Sequence, residues 1–229
     1  MPATADIAVD RIAVSVRRIL CLGFVAGYVD ALGFVQLAGI YTGAMTGNTI
    51  QFGITLAREQ WSHLTLVAAT LGAFFGGALI SSYIRRRLPS PPLELIIMAA
   101  LILCAQIVQL VTAHPLPIEL PLLAVSMAMQ GETISRFGGT SLQTIVVTNN
   151  LIKLADAIVG RWLSGGRAEP AGSWADIVLP ACAWSGFAIG ACTGALAAFH
   201  LPLPLVPPAL VLMFTTLDLL GFPLRRVPR

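Results

Sequence analysis

Residues 19–57 read ILCLGFVAGYVDALGFVQLAGIYTGAMTGNTIQFGITLA, an apolar run that carries one carboxylate and ends in a polar element. The carboxylate is Asp30, and the polar element is Thr46-Gly47-Asn48. Polar side chains in so apolar a stretch are costly in a bilayer, so each one needs a partner or a function. The stretch predicts a membrane helix followed by a broken or re-entrant segment, where Gly47 permits a break and Asn48 can satisfy freed backbone groups.

A similar polar element, Thr148-Asn149-Asn150, follows 102 positions later. At this spacing Thr42, Thr46, Asn48 and Ile50 align with Thr144, Thr148, Asn150 and Ile152, and Asp30 aligns with Glu132. Most of these matches are polar residues in apolar surroundings, so they indicate a duplicated unit. A matched pair of interrupted hydrophobic segments in two halves of a chain is the usual sequence sign of a transporter binding site.

The composition indicates an integral membrane protein. Of 229 residues, 56% are hydrophobic and 11% are charged, which leaves too few charges to cover a globular surface. The net charge of +3 comes from basic residues in short runs beside apolar stretches, so we expect the lipid bilayer as a partner and no nucleic acid. The four cysteines form no Cys-x-x-Cys pair, which disfavours disulfides and a zinc site.

Six stretches are long and apolar enough to cross a hydrocarbon core of about 30 Å as helices. They are residues 19–40, 64–84, 93–111, 116–134, 177–199 and 203–222. Two further stretches, 41–57 and 139–159, are rich in Thr, Asn, Gln and Gly, and we expect them to be polar broken or re-entrant helices. Whether these two cross fully stays open. The sequence therefore predicts an all-α integral membrane protein with six transmembrane helices.

Glycine patterns also match between the two halves of the sequence. Phe74-x-x-Gly77 in one span matches Phe187-x-x-Gly190 in another. Further glycines follow at spacings near four, which predicts helices that approach each other closely.

Positive charges orient the spans, because Lys and Arg accumulate in cytoplasmic loops. If both polar stretches enter and leave on one side, almost all arginines, including residues 85–87, fall inside, and only Arg58 falls outside. Each unit then has three spans, an odd number, so the repeat is an inverted 3+3 repeat. We expect a cytoplasmic tail at 1–18, a first membrane repeat at 19–114 and a second at 115–229, with both termini cytoplasmic.

The candidate binding residues are the polar elements and the two aligned acids. They are Asp30, Thr46, Gly47, Asn48, Gln51, Glu132, Thr148, Asn149 and Asn150. Asp30 lies about 17 Å along its span, near the bilayer midplane, where a carboxyl is a candidate for proton exchange. Two alternatives stay open: Asp30 only fixes helix packing, or the Thr and Asn side chains only join neighbouring helices. For Asp218, in the last span, the sequence indicates no partner.

No enzyme motif accompanies these residues. The chain has no Gly-x-Ser-x-Gly, no His-Glu-x-x-His and no phosphate-binding loop. Its three histidines, His63, His114 and His200, are scattered at the ends of spans. We expect no catalytic residue, no metal site and no cofactor.

The run from Gly23 to Gly53, with Gly27-x-x-Asp30 and Thr46-Gly47-Asn48, resembles the YoaK family of bacterial membrane proteins. In the second half, Met129-Gln130, Arg136-Phe137-Gly138-Gly139 and Phe187-x-x-Gly190 carry the resemblance. The chain departs from the family at Gln130-Gly131-Glu132, where Gln-Asn-Ala is usual, and at Thr148-Asn149-Asn150, where Thr-Gly-Thr is usual. The resemblance implies a bacterial inner-membrane protein whose domain has no assigned function.

These features predict a small secondary transporter or permease for a small neutral or cationic solute, with proton coupling through Asp30. No buried Arg lies near the motifs, which disfavours an anion. The alternative is a membrane scaffold or sensor in which the same residues only hold helices together. The solute, the coupling ion and a homo-oligomeric state stay open.

Overall fold

The computed structural model describes residues 3–87, 91–133, 136–137, 140–141, 147–162 and 174–221. The helices are α1 (Ala3–Gln36), α2 (Met45–Ala57), α3 (Trp61–Arg87), α4 (Pro91–Val111), α5 (Leu116–Thr133), α6 (Val147–Trp162), α7 (Trp174–His200) and α8 (Val206–Gly221). Between α5 and α6, the two-residue strands β1 (Arg136–Phe137) and β2 (Thr140–Ser141) pair antiparallel, with Arg136 opposite Ser141. The described chain is therefore helical apart from this short ladder, as the sequence predicts.

Among the described helices, four are long and apolar enough to cross a membrane: α1, α3, α4 and α7. The other apolar helices, α5 and α8, have 18 and 16 residues and are shorter than the usual span. Large apolar side chains cover the outer surface of the bundle, among them Phe75, Leu79, Phe199 and Leu217. Such an extensive apolar surface is suited to lipid rather than water, which agrees with the predicted membrane protein.

Helix α1 differs from its predicted bounds at both ends. Residues 3–18, expected as a tail, are helical and continuous with the span, and the helix ends at Gln36 rather than at Ile40. Ala38 and Gly39 take positive φ angles of 57° and 74°, a conformation that an α-helix cannot continue. The other apolar helices lie within a few residues of the predicted spans.

Helices α1 and α7 pack backbone against backbone through glycines. A Cβ atom at Gly186 would lie 2.7 Å from the carbonyl oxygen of Leu20, and one at Gly190 would overlap the carbonyl oxygen of Phe24. One at Gly194 would overlap the carbonyl of Tyr28. The glycine spacing of four on α7 therefore serves close helix packing, as expected, whereas a Cβ at Gly72 or Gly76 on α3 would meet no atom within 4 Å. Residue numbers increase in the same direction along both helices at these contacts, so α1 and α7 run parallel.

The helix contacts form a pattern that maps onto itself when the two halves of the chain are exchanged. Helix α1 packs on α7 and α8, and its counterpart α5 packs on α3 and α4. Helix α2 packs on α3 as α6 packs on α7, while α4 and α8 pack on each other. The close approach at Gly190 also recurs, because a Cβ at Gly77 would lie 2.8 Å from Cα of Val125 on α5. Such an exchange is expected of a duplicated unit.

Helix α8 returns along α1 in the opposite direction. Near the start of the span, Arg17 and Arg18 pair with Asp218, and Arg18 Nε lies 2.6 Å from Asp218 Oδ2. Towards the other end, the Tyr28 hydroxyl donates to the carbonyl of Pro204 across 2.7 Å. Arg18 is only 1% exposed, so this is a buried ion pair. The partner of Asp218 that the sequence did not indicate is thus a pair of arginines on α1.

A chain of glutamine amides joins α1 and α4 to the connection between α7 and α8. Gln36 donates to the carbonyl of Ala198 across 2.7 Å and accepts from Gln109 across 3.1 Å. Gln106 donates to Gln109 and accepts from the backbone N–H of Leu205, each across 2.8 Å. These amides satisfy backbone groups left free where α7 ends and α8 begins.

Candidate functional site

The site is organised around Asp30, a buried acid on α1 that faces the start of α2. Its Oδ1 accepts hydrogen bonds from the backbone N–H groups of Thr42 (3.0 Å), Gly43 (2.5 Å) and Ala44 (3.3 Å), and from the Thr42 hydroxyl (3.0 Å). Ala44 precedes α2 and offers no side-chain cap of its own. Asp30 therefore supplies, from another helix, an acceptor for the N–H group of Ala44 at this helix start and for those of the two residues before it.

All four of these hydrogen bonds converge on one carboxylate oxygen. The second oxygen, Oδ2, accepts none from the residues that the structure describes, although Asp30 is only 3% exposed. A Cβ at Gly43 would lie 3.4 Å from both carboxylate oxygens and from Cβ of Met127 on α5. The carboxylate thus lies where α1, the start of α2 and α5 meet, and Oδ2 keeps acceptor capacity for a ligand.

Asn48 uses its side chain to fix the backbone just before α2. Its Oδ1 accepts from the N–H of Tyr41 across 2.9 Å, and its Nδ2 donates to the carbonyl of the same residue across 2.7 Å. Gly47 leaves room for the Tyr41 ring, since a Cβ there would lie 2.9 Å from two ring atoms. Gln51 likewise donates to the carbonyl of Gly39 across 2.6 Å. These three candidate residues shape the segment rather than point into open space.

Helix α2 pairs with the segment before it in antiparallel order: later residues of α2 contact earlier residues of that segment. Gln51 bonds to Gly39, Asn48 to Tyr41, and the start of the helix to Asp30. Residues 39–44 and α2 therefore form a hairpin whose turn contacts Asp30 on α1. With 13 residues, α2 is about 20 Å long and too short to cross a core of about 30 Å.

The polar element of the second half lies at the start of α6. Thr148, Asn149 and Asn150 occupy its first turn. Asn150 is buried at 1% exposure and Asn48 at 0%, while Thr148 and Thr46 are both exposed. The aligned residues thus share their burial, yet no hydrogen bond joins Asn48 to Asn150 in the part of the chain that the structure describes. Thr144 and the side chain of Glu132 lie outside that part.

An aromatic cluster marks the end of α6. The Arg161 guanidinium lies 4.0 Å from the centre of the Trp174 ring, and the Trp162 and Trp174 rings meet edge to face at 6.3 Å. Trp beside Arg is typical of the boundary between membrane and water.

Sequence reasoning missed the most direct partners of the site. Tyr41 and Gly43 act through backbone groups, which almost every residue type carries, so their side chains do not indicate these contacts. Only the absence of a Cβ at Gly43 reflects the approach of Asp30 and Met127.

Comparison with known proteins identifies the family of the chain. Residues 19–217 match a family described as protein of unknown function DUF1275. The chain belongs to this family. It is also 27% identical over 189 residues to UPF0700 transmembrane protein YoaK of Bacillus subtilis (strain 168). The matched region covers 78% of this chain and 81% of that protein. No solved structure matches the chain.

These comparisons confirm the YoaK-like resemblance seen between Gly23 and Gly53. Together with the apolar helices, they support a transmembrane protein surrounded by lipid. Neither the family description nor the relative's name gives an activity.

Proposed function

We propose that this protein is a small secondary transporter or permease of the bacterial inner membrane that carries a neutral or cationic solute. The observation that carries the proposal is the buried Asp30 carboxylate, which holds the start of a half-helix with Oδ1 and has no described donor at Oδ2. Transporters commonly bind their solutes where a helix is interrupted within the membrane. Chemistry at this site would be binding and release, without a catalytic residue.

The charge at the site favours a neutral or cationic solute. The start of a helix attracts anions through its free N–H groups and its dipole. The N–H groups of Thr42, Gly43 and Ala44, which lead into α2, already bond to Asp30. An anionic solute would therefore meet a carboxylate instead of free donors, whereas an ammonium or hydroxyl group could donate to Oδ2.

The arrangement of the helices supports six spans in an inverted 3+3 repeat. Gln130 on α5 donates to the carbonyl of Leu22 on α1 across 2.6 Å, whereas Met127 lies beside Gly43 and Asp30. As residue numbers increase along α1, the residues of α5 that they meet have decreasing numbers. The first helices of the two halves are therefore antiparallel, as an inverted repeat requires. In this scheme α2 and α6 are re-entrant, and α5 and α8 cross a membrane that adapts to their shorter length.

A site shared by two halves can open to each side in turn when one half rocks against the other. Asp30 would bind the solute from the first half, and Glu132, Thr148, Asn149 and Asn150 are the candidates from the second. Asn48 and Gln51 would keep the α2 hairpin in shape, because their amides bond to the backbone of residues 39–41.

A scaffold or sensor is the second candidate, and the same amide bonds favour it. If the polar residues only hold helices together, every one of them should be replaceable by a side chain that keeps its hydrogen bonds. Asp30 separates the two functions, because Asp30→Asn keeps an acceptor for the α2 start but removes the negative charge from Oδ2.

The test uses purified protein in liposomes and a panel of small amines, polyols and amino acids. We expect at least one solute to raise the unfolding temperature of the wild type and to enter wild-type vesicles. Asp30→Asn should lose both effects while staying folded, and Glu59→Gln, at an exposed acid after α2, should retain both. Solute entry that is equal in the wild type and Asp30→Asn would contradict the proposed role of Asp30, and no entry for any solute would favour the scaffold.

A further inference from the structure

Glu119 is a second buried acid, near the start of α5 and outside the Asp30 site. Its exposed fraction is 0%, and neither carboxylate oxygen has a hydrogen-bond partner in the described part of the chain. Its backbone N–H donates to the carbonyl of Pro115 across 2.8 Å, so the helix start is formed in the ordinary way. Asp30 has four donors at one oxygen, whereas the Glu119 carboxyl has none.

Among the described residues, no Lys, Arg or His forms an ion pair with Glu119. Helix α5 packs on α1, α3 and α4, and α4 contains no Lys, Arg or His. The ionisable side chains described on these helices are Arg17, Arg18, Cys21, Tyr28 and Asp30 on α1, His63, Tyr83, Arg85, Arg86 and Arg87 on α3, and Glu94 and Cys104 on α4. None of them forms an ion pair or a hydrogen bond with Glu119.

The repeat shows that this isolation is specific to the second half. Glu119 aligns with Arg17 at the 102-residue spacing. In the first half Arg17 and Arg18 pair with Asp218 and join α1 to α8. The helices of the second half that correspond to α1 and α8 are α5 and α4. Glu119 on α5 meets no basic residue there, because α4 contains none.

A buried carboxylate without donors or a counter-ion is strongly unfavourable, so the group must hold a proton or a bound cation. Ca²⁺ takes six to eight oxygen ligands, and other hard metal ions likewise need several. The described residues contain no group of three His, Cys, Asp or Glu side chains that could hold a metal ion. A single proton needs only the carboxyl itself.

We propose that Glu119 is a proton-binding site within the membrane, separate from the Asp30 site. This assigns the exchangeable proton to Glu119 in place of Asp30, which instead holds the α2 hairpin and the solute. Proton binding at Glu119 does not depend on transport, so it can be tested without a solute. If the protein is a proton-coupled transporter, Glu119 is the group that carries the coupling proton.

The test uses a hydrophobic carbodiimide, which reacts with protonated carboxyl groups in apolar surroundings. Full-length protein in liposomes is treated at a series of pH values, and labelled peptides are identified by mass spectrometry. We expect the α5 peptide to be labelled at Glu119, with labelling that falls as the pH rises. The label should be lost in Glu119→Gln and retained in Asp30→Asn, and the exposed Glu59 should stay unlabelled throughout.

Infrared spectra provide a second readout that needs no labelling. The wild type should show the C=O band of a protonated carboxyl that Glu119→Gln lacks, with unfolding temperatures recorded for both proteins. Absence of both the label and the band at Glu119 in folded wild type would overturn the proposal. Protection of Glu119 by sodium, compared with choline at the same pH, would also overturn it, because a metal cation would then occupy the site. If no solute is taken up but Glu119 is still labelled, the result would contradict the proposed transport function and would support proton binding at Glu119.

Discussion

Asp30 Oδ1 and the backbone N–H of Gly43 are 2.5 Å apart, and this bond joins the first membrane helix to the start of the half-helix that follows. Thr42 and Ala44 donate to the same oxygen. The acid thus has a structural role that can be separated from the proposed solute binding, because the two roles would use different oxygens. The hairpin of residues 39–44 and α2 depends on the first oxygen, and the proposed site on the second.

Replacement of Asp30 by Ala should destabilise the protein more than replacement by Asn. Ala leaves three backbone N–H groups and one hydroxyl without an acceptor, and each buried unsatisfied group costs about 1–3 kcal/mol. Asn retains an oxygen acceptor in the same place. Unfolding temperatures in detergent measure the difference, with Glu59→Ala as the control. Equal losses for Ala and Asn would show that the charge, rather than the acceptor, stabilises the hairpin.

Gly190→Ala should weaken the packing of α7 on α1. The added methyl group would overlap the carbonyl of Phe24, and overpacking of this kind typically costs about 1–3 kcal/mol. Gly72→Ala is the matched control, because a Cβ there meets no atom within 4 Å and Ala favours the helix. Thermal unfolding should place Gly190→Ala below the wild type and Gly72→Ala at or above it. The reverse order would contradict the observed contact between α1 and α7.

Asp218→Asn should be strongly destabilising. It removes the carboxylate that pairs with the buried Arg18, and breaking one side of a buried ion pair costs about 3–5 kcal/mol. The double variant Arg18→Met with Asp218→Leu should recover much of the loss, since neither charge then remains buried. Arg58→Gln, on an exposed residue, is the control. If the double variant is less stable than Asp218→Asn, the ion pair is not the source of the loss.

The proposed inverted repeat predicts which loops face the cytoplasm. On a background that lacks Cys21, Cys104, Cys182 and Cys192, a cysteine at Arg86 should be protected from a membrane-impermeant thiol reagent in oriented cells or vesicles. A cysteine at His114 should react. Both positions are exposed in the structure, so access depends on the side of the membrane and not on burial. Reaction at Arg86 from outside would rule out the six-span arrangement.

The sequence by itself determined the helices and their close packing. Membrane helices depend on the length of an apolar run, which is a local property, and the predicted stretches 64–84, 93–111 and 177–199 lie within α3, α4 and α7. The glycines at Gly186, Gly190 and Gly194 indicated close contact because a missing side chain is visible in the sequence. The proposed repeat rests on the same kind of local signal, since polar residues stand out against apolar neighbours.

Only the tertiary structure decided which groups these residues meet. Asp30 bonds chiefly to backbone N–H groups, and these are identical for almost every residue type, so no pattern of side chains could reveal them. Asp218 meets Arg17 and Arg18 from about two hundred positions away because α8 packs along α1. The isolation of Glu119 is likewise a property of packing: the sequence shows an acid in an apolar span, but whether a donor reaches it depends on which helices surround it.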